Sequence, residues 1–230
     1  MAFAQRLLLG FVLGVWGLPA LAQAPAAAPV YVVTYFEAAP ASSGAVATTL
    51  KQFAAASRKE DGNIGFVALR ESGRSNRFAM LEGWRDKAAL GAHGAAAKTL
   101  REQLDAMLAA PFDPRPSSGL AVATALAGID AAMAKGVFVL THVDVPPPAK
   151  DDCIALLKKL TEDSRKDAGV LRFDVLQQDS RPNHFTVVEA WRDAKAHDAH
   201  TVADHTRDYR RKLTPMSGAL FDERVYSTLQ

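Results

Sequence analysis

Glu82-Gly83-Trp84-Arg85-Asp86 returns in this chain as Glu189-Ala190-Trp191-Arg192-Asp193, 107 positions later. Outward from that pentapeptide the same offset holds without a gap, so that Val30 to about His93 reappears as Val137 to His200. Ser57-Arg58-Lys59 answers Ser164-Arg165-Lys166, and Asn76-Arg77-Phe78 answers Asn183-His184-Phe185. Solenoid units run roughly 20 to 50 residues, so a repeat of this length is one small domain duplicated. Any site is therefore expected twice, or decayed in one copy.

Each copy opens on a β-branched and aromatic run of strand length, Val30 to Phe36 and Val137 to Val143. After a turn at Pro40 or Pro146-Pro147-Pro148, apolar residues at helical spacing (Val46, Leu50, Phe53, Ala54; Ile154, Leu157, Leu160, Thr161) mark one face of a helix, which Gly62 and Gly169 are expected to end. Two strands follow, Ile64 to Arg70 and Asn76 to Trp84 in the first copy, joined by a polar hairpin loop. A second helical region spans about Lys87 to Leu108 and Ala194 to Leu213. The closing strands fall near Ser118 to Ala125 and Ala219 to Thr228, and there Phe112-Asp113 and Phe221-Asp222 correspond only after a two-residue shift. The order β-α-β-β-α-β is the ferredoxin-like arrangement, a sheet with helices on one face. Its other face needs cover, which the second copy can supply. The predicted fold is α+β: two tandem ferredoxin-like (β-α-β-β-α-β) repeats, residues 30–126 and 137–230, stacked sheet against sheet across a linker at 127–136.

The first 22 residues read as an export signal: Arg6, an apolar stretch from Leu7 to Leu18, and a small-x-small site before a leader at 23–29. Export to the periplasm or beyond is expected, with no membrane span after cleavage. Lys plus Arg number 27 against 25 for Asp plus Glu, which gives no basic field for nucleic acid. Cys153 is the only cysteine, so no intramolecular disulfide can form, and its helical neighbours Leu156, Leu157 and Leu160 mark it as a small core residue.

At Glu189-Ala-Trp-Arg-Asp, with His200 nine residues beyond Trp191 and His205 five further on, the chain resembles the antibiotic biosynthesis monooxygenase family. The resemblance covers both repeats and implies that their two sheets form an intramolecular dimeric α+β barrel. Some members oxygenate quinols or aromatic polyketides with O2 and neither metal nor flavin; others degrade haem. The haem-degrading pattern needs a Trp on the second helix, which is missing here. Some oxygenating members place an Asn one pleat before the strand Trp, where this chain has Met80 and Val187. The second copy matches better, because His205 stands where the first has Lys98.

On the third strand of the second copy, Phe185, Val187, Glu189 and Trp191 share a face by period two. A carboxylate in that apolar row has its pKa raised unless a cation such as Arg165 or Arg192 pairs with it. Glu189, His200 and His205 are the candidate catalytic groups, an imidazole being suited to take a phenolic proton from a hydroquinone. Trp191, Arg192, His142 and Tyr209, with Trp84 and His93 of the first copy, are the candidate substrate contacts; the indoles can equally be packing residues. His197, His200 and His205 are disfavoured as a metal set: His205 falls about 140° from His200 on an ideal helix, and Asp204 resembles an N-cap that breaks the helix. No GxGxxG fingerprint or P-loop is present, so no cofactor is expected. The function expected is cofactor-independent monooxygenation of an electron-rich aromatic by O2, in a monomer with an internal pseudo-dimer. The alternative is a barrel that binds a small aromatic or apolar ligand without turnover.

Overall fold

A computed structural model describes residues 28–123 and 133–229. The export signal, nearly all of the leader and most of the linker lie outside the described residues. The first copy consists of β1 (Val30–Ala38), α1 (Ser43–Ser57), β2 (Asn63–Glu71), β3 (Arg77–Trp84), α2 (Lys87–Leu104) and β4 (Leu108–Ala121). The second consists of β5 (Val137–Asp144), α3 (Lys150–Ser164), β6 (Val170–Gln178), β7 (His184–Trp191), α4 (Ala194–Thr201), α5 (Asp204–Leu213) and β8 (Asp222–Thr228). Each is the expected β-α-β-β-α-β unit, with the second helical region of the second copy split in two.

Within each copy the strands are antiparallel, in the order β2-β3-β1-β4 and β6-β7-β5-β8. The sheet edges then pair across the copies: β4 with β6 from Ser117↔Gln178 to Ala121↔Val175, and β8 with β2 from Leu69↔Thr228 to Glu71↔Tyr226. The eight strands close into one barrel. Closure removes every free edge, which for either sheet alone would be a template for unwanted pairing.

Strand alternation separates two kinds of core. Tyr31, Val33, Leu69, Leu81, Phe138, Leu140, Val188 and Tyr226 fill the barrel interior. Their neighbours in sequence point out toward the helices, so Phe36, Phe66, Phe78 and Met80 pack under α1 and α2 with Leu50 and Leu100. Val187 and Trp191 do the same in the second copy with Leu157 and Leu213. Burying each such side chain is worth roughly 1.5–3 kcal/mol, which lets both layers hold without a disulfide. Cys153 is buried among them, and desolvation pushes its thiol up to about 12.

Several boundaries differ from those read in the sequence. β4 starts ten residues before the expected Ser118, because Pro111, Pro114 and Pro116 disguise it as a loop while it pairs with β1 along most of its length. α1 and α3 end at Ser57 and Ser164, so Gly62 and Gly169 do not cap them; they turn the chain into β2 and β6 at φ of 77° and 88°. A β-carbon at these glycines would lie 2.5 Å from Ala89 and 2.7 Å from Ala196, against the first turn of the next helix. The helix expected to reach Leu108 ends at Leu104.

Candidate active site

The repeated pentapeptide builds the site. Trp84 and Trp191 end β3 and β7 with both indoles wholly buried on the helix side of the sheet. Two residues on, Asp86 and Asp193 are N-caps, each accepting a hydrogen bond of 2.8 Å from the backbone N–H of Ala89 or Ala196. Seven residues after the cap, about two helical turns, the histidine returns to the sheet side of its helix. His93 therefore stacks on Trp84 at 4.4 Å between ring centroids, and His200 lies over Trp191 at 4.7 Å.

Glu82 and Glu189 sit on the same strand face and accept from the indole Nε1 of Trp84 at 3.1 Å and of Trp191 at 2.7 Å. Arg165 and Arg192 do not neutralise Glu189: Arg165 binds the Phe173 carbonyl and Asp174, and Arg192 is exposed beside Asp193. Desolvation raises the Glu189 pKa to about 8 and moves Glu82 in the same direction.

Each histidine also meets a carboxylate from the loop after the first helix of its copy. His93 Nδ1 lies 3.0 Å from Glu60, and His200 Nδ1 lies 2.7 Å from Asp167. Ionised Glu60 can only accept, which puts the imidazole proton on Nδ1 and leaves Nε2 with a lone pair. That Nε2 is buried, 3.5 Å from Glu82, and has no hydrogen-bond partner among the described residues. Glu60 and Asp167 were not among the residues singled out from the sequence. Their signal is the repeat itself, since both stand two residues before the turn glycine.

The copies diverge in the space around this shared frame. In the first, a cavity of about 250 Å³ lies between the sheet and α2, walled by Val32, Phe53, Met80, Leu100, Phe112 and Pro116, with Thr34, Glu82, His93 and Arg101 as its polar groups. In the second, the equivalent space is about 20 Å³, room for about one water molecule. α5 begins at Asp204 after the N-cap position Ala203, and the break swings Tyr209 and Thr206 into the volume, where both are buried. Arg210, paired with Glu223 at 3.0 Å and lying over the Phe221 ring, closes it from outside. A cavity of roughly 150 Å³ suffices for benzene. The second copy, whose histidines and glutamate were the candidate catalytic groups, has its better motif around a filled pocket, and the aromatic-sized space belongs to the first.

The candidate residues divide accordingly. Glu189, His200, His205, Trp191 and Tyr209 cluster at the closed pocket, with burial holding the His200 pKa below and the Tyr209 pKa above their ordinary values. His93 lines the open one, whereas Trp84 is wholly buried against the His93 ring and is not among the residues that line that cavity. Arg192 faces solvent and is not brought to either. His142 lies elsewhere on the barrel with Asp144, His184 and Arg115, and so is not a contact of either pocket.

A closed eight-stranded barrel made by two ferredoxin-like halves, each with a Glu-Trp-His frame between sheet and helices, defines a tandem α+β-barrel protein. The chain matches the antibiotic biosynthesis monooxygenase family model twice, over residues 29–101 and 136–212, and belongs to that family. Solved structures share the whole architecture. A proposed monooxygenase from Fusobacterium nucleatum superposes with a TM-score of 0.76 at 16% identity, over 89% of this chain and 94% of that one. A proposed monooxygenase from Lactobacillus acidophilus gives 0.71 at 15% identity, over 88% and 95%. An anthrone oxidase-like protein gives 0.67 at 12% identity, over 88% and 92%. These identities establish likeness of fold. No curated protein matches the sequence.

Proposed function

We propose that this protein is a monooxygenase whose reaction site is the first-copy cavity, where His93 is the base that deprotonates a hydroquinone or anthrone-like phenol before that substrate reduces O2. The observation that carries the reading is the buried, unpartnered His93 Nε2 at the wall of a largely apolar space of about 250 Å³. Family membership supports the oxygenase class. The anthrone oxidase-like neighbour guides the choice of test compounds.

The phenolic proton passes to Nε2, and Glu60 steadies the resulting imidazolium through Nδ1, as a carboxylate does for a general-base histidine. Deprotonation makes the ring electron-rich enough to reduce O2 itself. In the overall balance a quinol and O2 become a hydroxyquinone and water, all electrons coming from the quinol. Glu82, whose pKa burial raises and whose carboxyl Trp84 orients, is placed to give a proton to the departing oxygen. The apolar walls hold bulk water away from the peroxide-level intermediate.

The test is oxygen uptake by purified protein with a panel of hydroquinones and anthrones, against His93→Ala to subtract autoxidation. The proposal expects uptake that falls about 10²- to 10⁴-fold in the variant, the usual cost of losing a general base. Panel compounds that bind in the cavity without any uptake above the variant would leave a ligand-binding barrel instead.

A further inference from the structure

The copies differ most where the second helical region breaks. In the first, α2 runs unbroken past Lys98, whose ammonium lies 3.6 Å from Glu102 at the surface. In the second, α4 ends at Thr201 and α5 starts at Asp204. On one ideal helix His205 would sit about 140° around from His200. The break cancels that separation: the two rings are 5.5 Å apart, and Asp167 Oδ2 lies 2.7 Å from His200 Nδ1 and 3.1 Å from His205 Nε2.

We propose that Asp167, His200 and His205 form a binding site for a divalent transition-metal ion, separate from the cavity of the first copy. Two imidazoles and a carboxylate are a donor set for zinc, iron or nickel ions at about 2.0–2.2 Å per ligand. The three donor atoms lie within 4.8 Å of one another, close enough to converge on one ion after small side-chain rotations. His205 Nε2 is buried and, despite its nearness to Asp167, makes no hydrogen bond among the described residues. Its lone pair is therefore available to a ligand. Thr206 Oγ1 lies 3.3 Å from His200 Nδ1 and 3.4 Å from its Nε2, within reach of both ring nitrogens. Asp167 and His205 each keep about a fifth of their side-chain surface exposed, which gives an ion a way in and lets water complete its shell.

The first copy provides an internal comparison. Glu60 and His93 match two of the donors, but Lys98 replaces the third and points to solvent. A rival cluster, His142, Asp144 and His184, has the Arg115 guanidinium 3.2 Å from His142 Nδ1, and that positive charge opposes a cation.

The experiment titrates metal-stripped protein, free of any affinity tag, with Zn²⁺ in a calorimeter and with Co²⁺ under visible absorption. One equivalent should bind, with a Co²⁺ d–d spectrum and a rise in Tm. His205→Lys, which installs the first copy's residue at a partly exposed position, and Asp167→Asn should each weaken binding by about 10-fold or more, while His142→Ala leaves it unchanged. Absence of saturable binding would overturn the proposal. So would full affinity in both His205→Lys and Asp167→Asn, or loss of the site in His142→Ala.

Discussion

His93 and Glu60 are joined by a 3.0 Å contact through Nδ1, and the same imidazole turns its unpartnered Nε2 to the cavity. His200 and Asp167 repeat the pairing at 2.7 Å over a pocket with room for about one water. The chemistry is duplicated but the space is not. With substrate in excess of autoxidation, kcat/KM should therefore fall about 10²- to 10⁴-fold in His93→Ala and stay within about threefold of wild type in His200→Ala. Steady-state oxygen consumption on folded variants, checked by circular dichroism, measures both. Equal losses would mean that the copies act together.

Ala97 lines the open cavity on α2, between the exposed residues Ala96 and Lys98. Ala97→Phe should fill that volume, abolish binding of a one-ring hydroquinone analogue in calorimetry, and leave Tm within about 2 °C of wild type. Undiminished affinity would place the ligand elsewhere.

Glu189 gives the protein a pH signature. Its folded pKa of about 8 lies above the ordinary carboxylate value, so the folded state keeps a proton that the unfolded chain releases from about pH 4.5 upward. The contribution is fully present below the unfolded pKa and is lost as pH rises through the folded one. Glu189→Gln should therefore gain on the wild type by up to about 1.4 kcal/mol per pH unit across that window, measured by urea unfolding at several pH values. Glu82 is displaced in the same direction, so the single variant removes only part of the wild-type slope. Parallel stability curves for wild type and variant would contradict a protonated Glu189.

Two glycines test the turn geometry against helix propensity. Gly169→Ala meets both a φ of 88° and a β-carbon 2.7 Å from that of Ala196, and should cost about 2 kcal/mol or more. Gly91→Ala, on the exposed face of α2 with open space around it, should gain about 0.5–1 kcal/mol. Thermal unfolding distinguishes them by sign.

The duplication made the fold legible, because the offset from Val30 to His200 aligns every strand and helix before any packing is known. β4 was the exception: three prolines within Pro111–Pro116 remove ladder donors, and pairing with β1 makes that stretch a strand. The shared face of Glu189 and Trp191 followed from alternation, as did the approach of the histidine from cap spacing. Pocket volume did not follow. It depends on where Tyr209 points after the α4–α5 break, and the traces of that break in the sequence, Asp204 read as a helix-breaking N-cap and the two-residue shift between Phe112 and Phe221, do not say where a side chain lands. Sequence motifs favoured the second copy because two imidazoles stand out, whereas empty space has no residue to mark it.

The most direct measurement is a titration of ¹⁵N-histidine-labelled protein with a hydroquinone under nitrogen, followed through the imidazole nitrogens by NMR. An aromatic bound in the first-copy cavity should shift the Nε2 resonance of His93, assigned by its absence in His93→Ala, and leave the His200 and His205 resonances in place. Shifts confined to His200 and His205, with His93 unmoved at saturation, would contradict the assignment of the site.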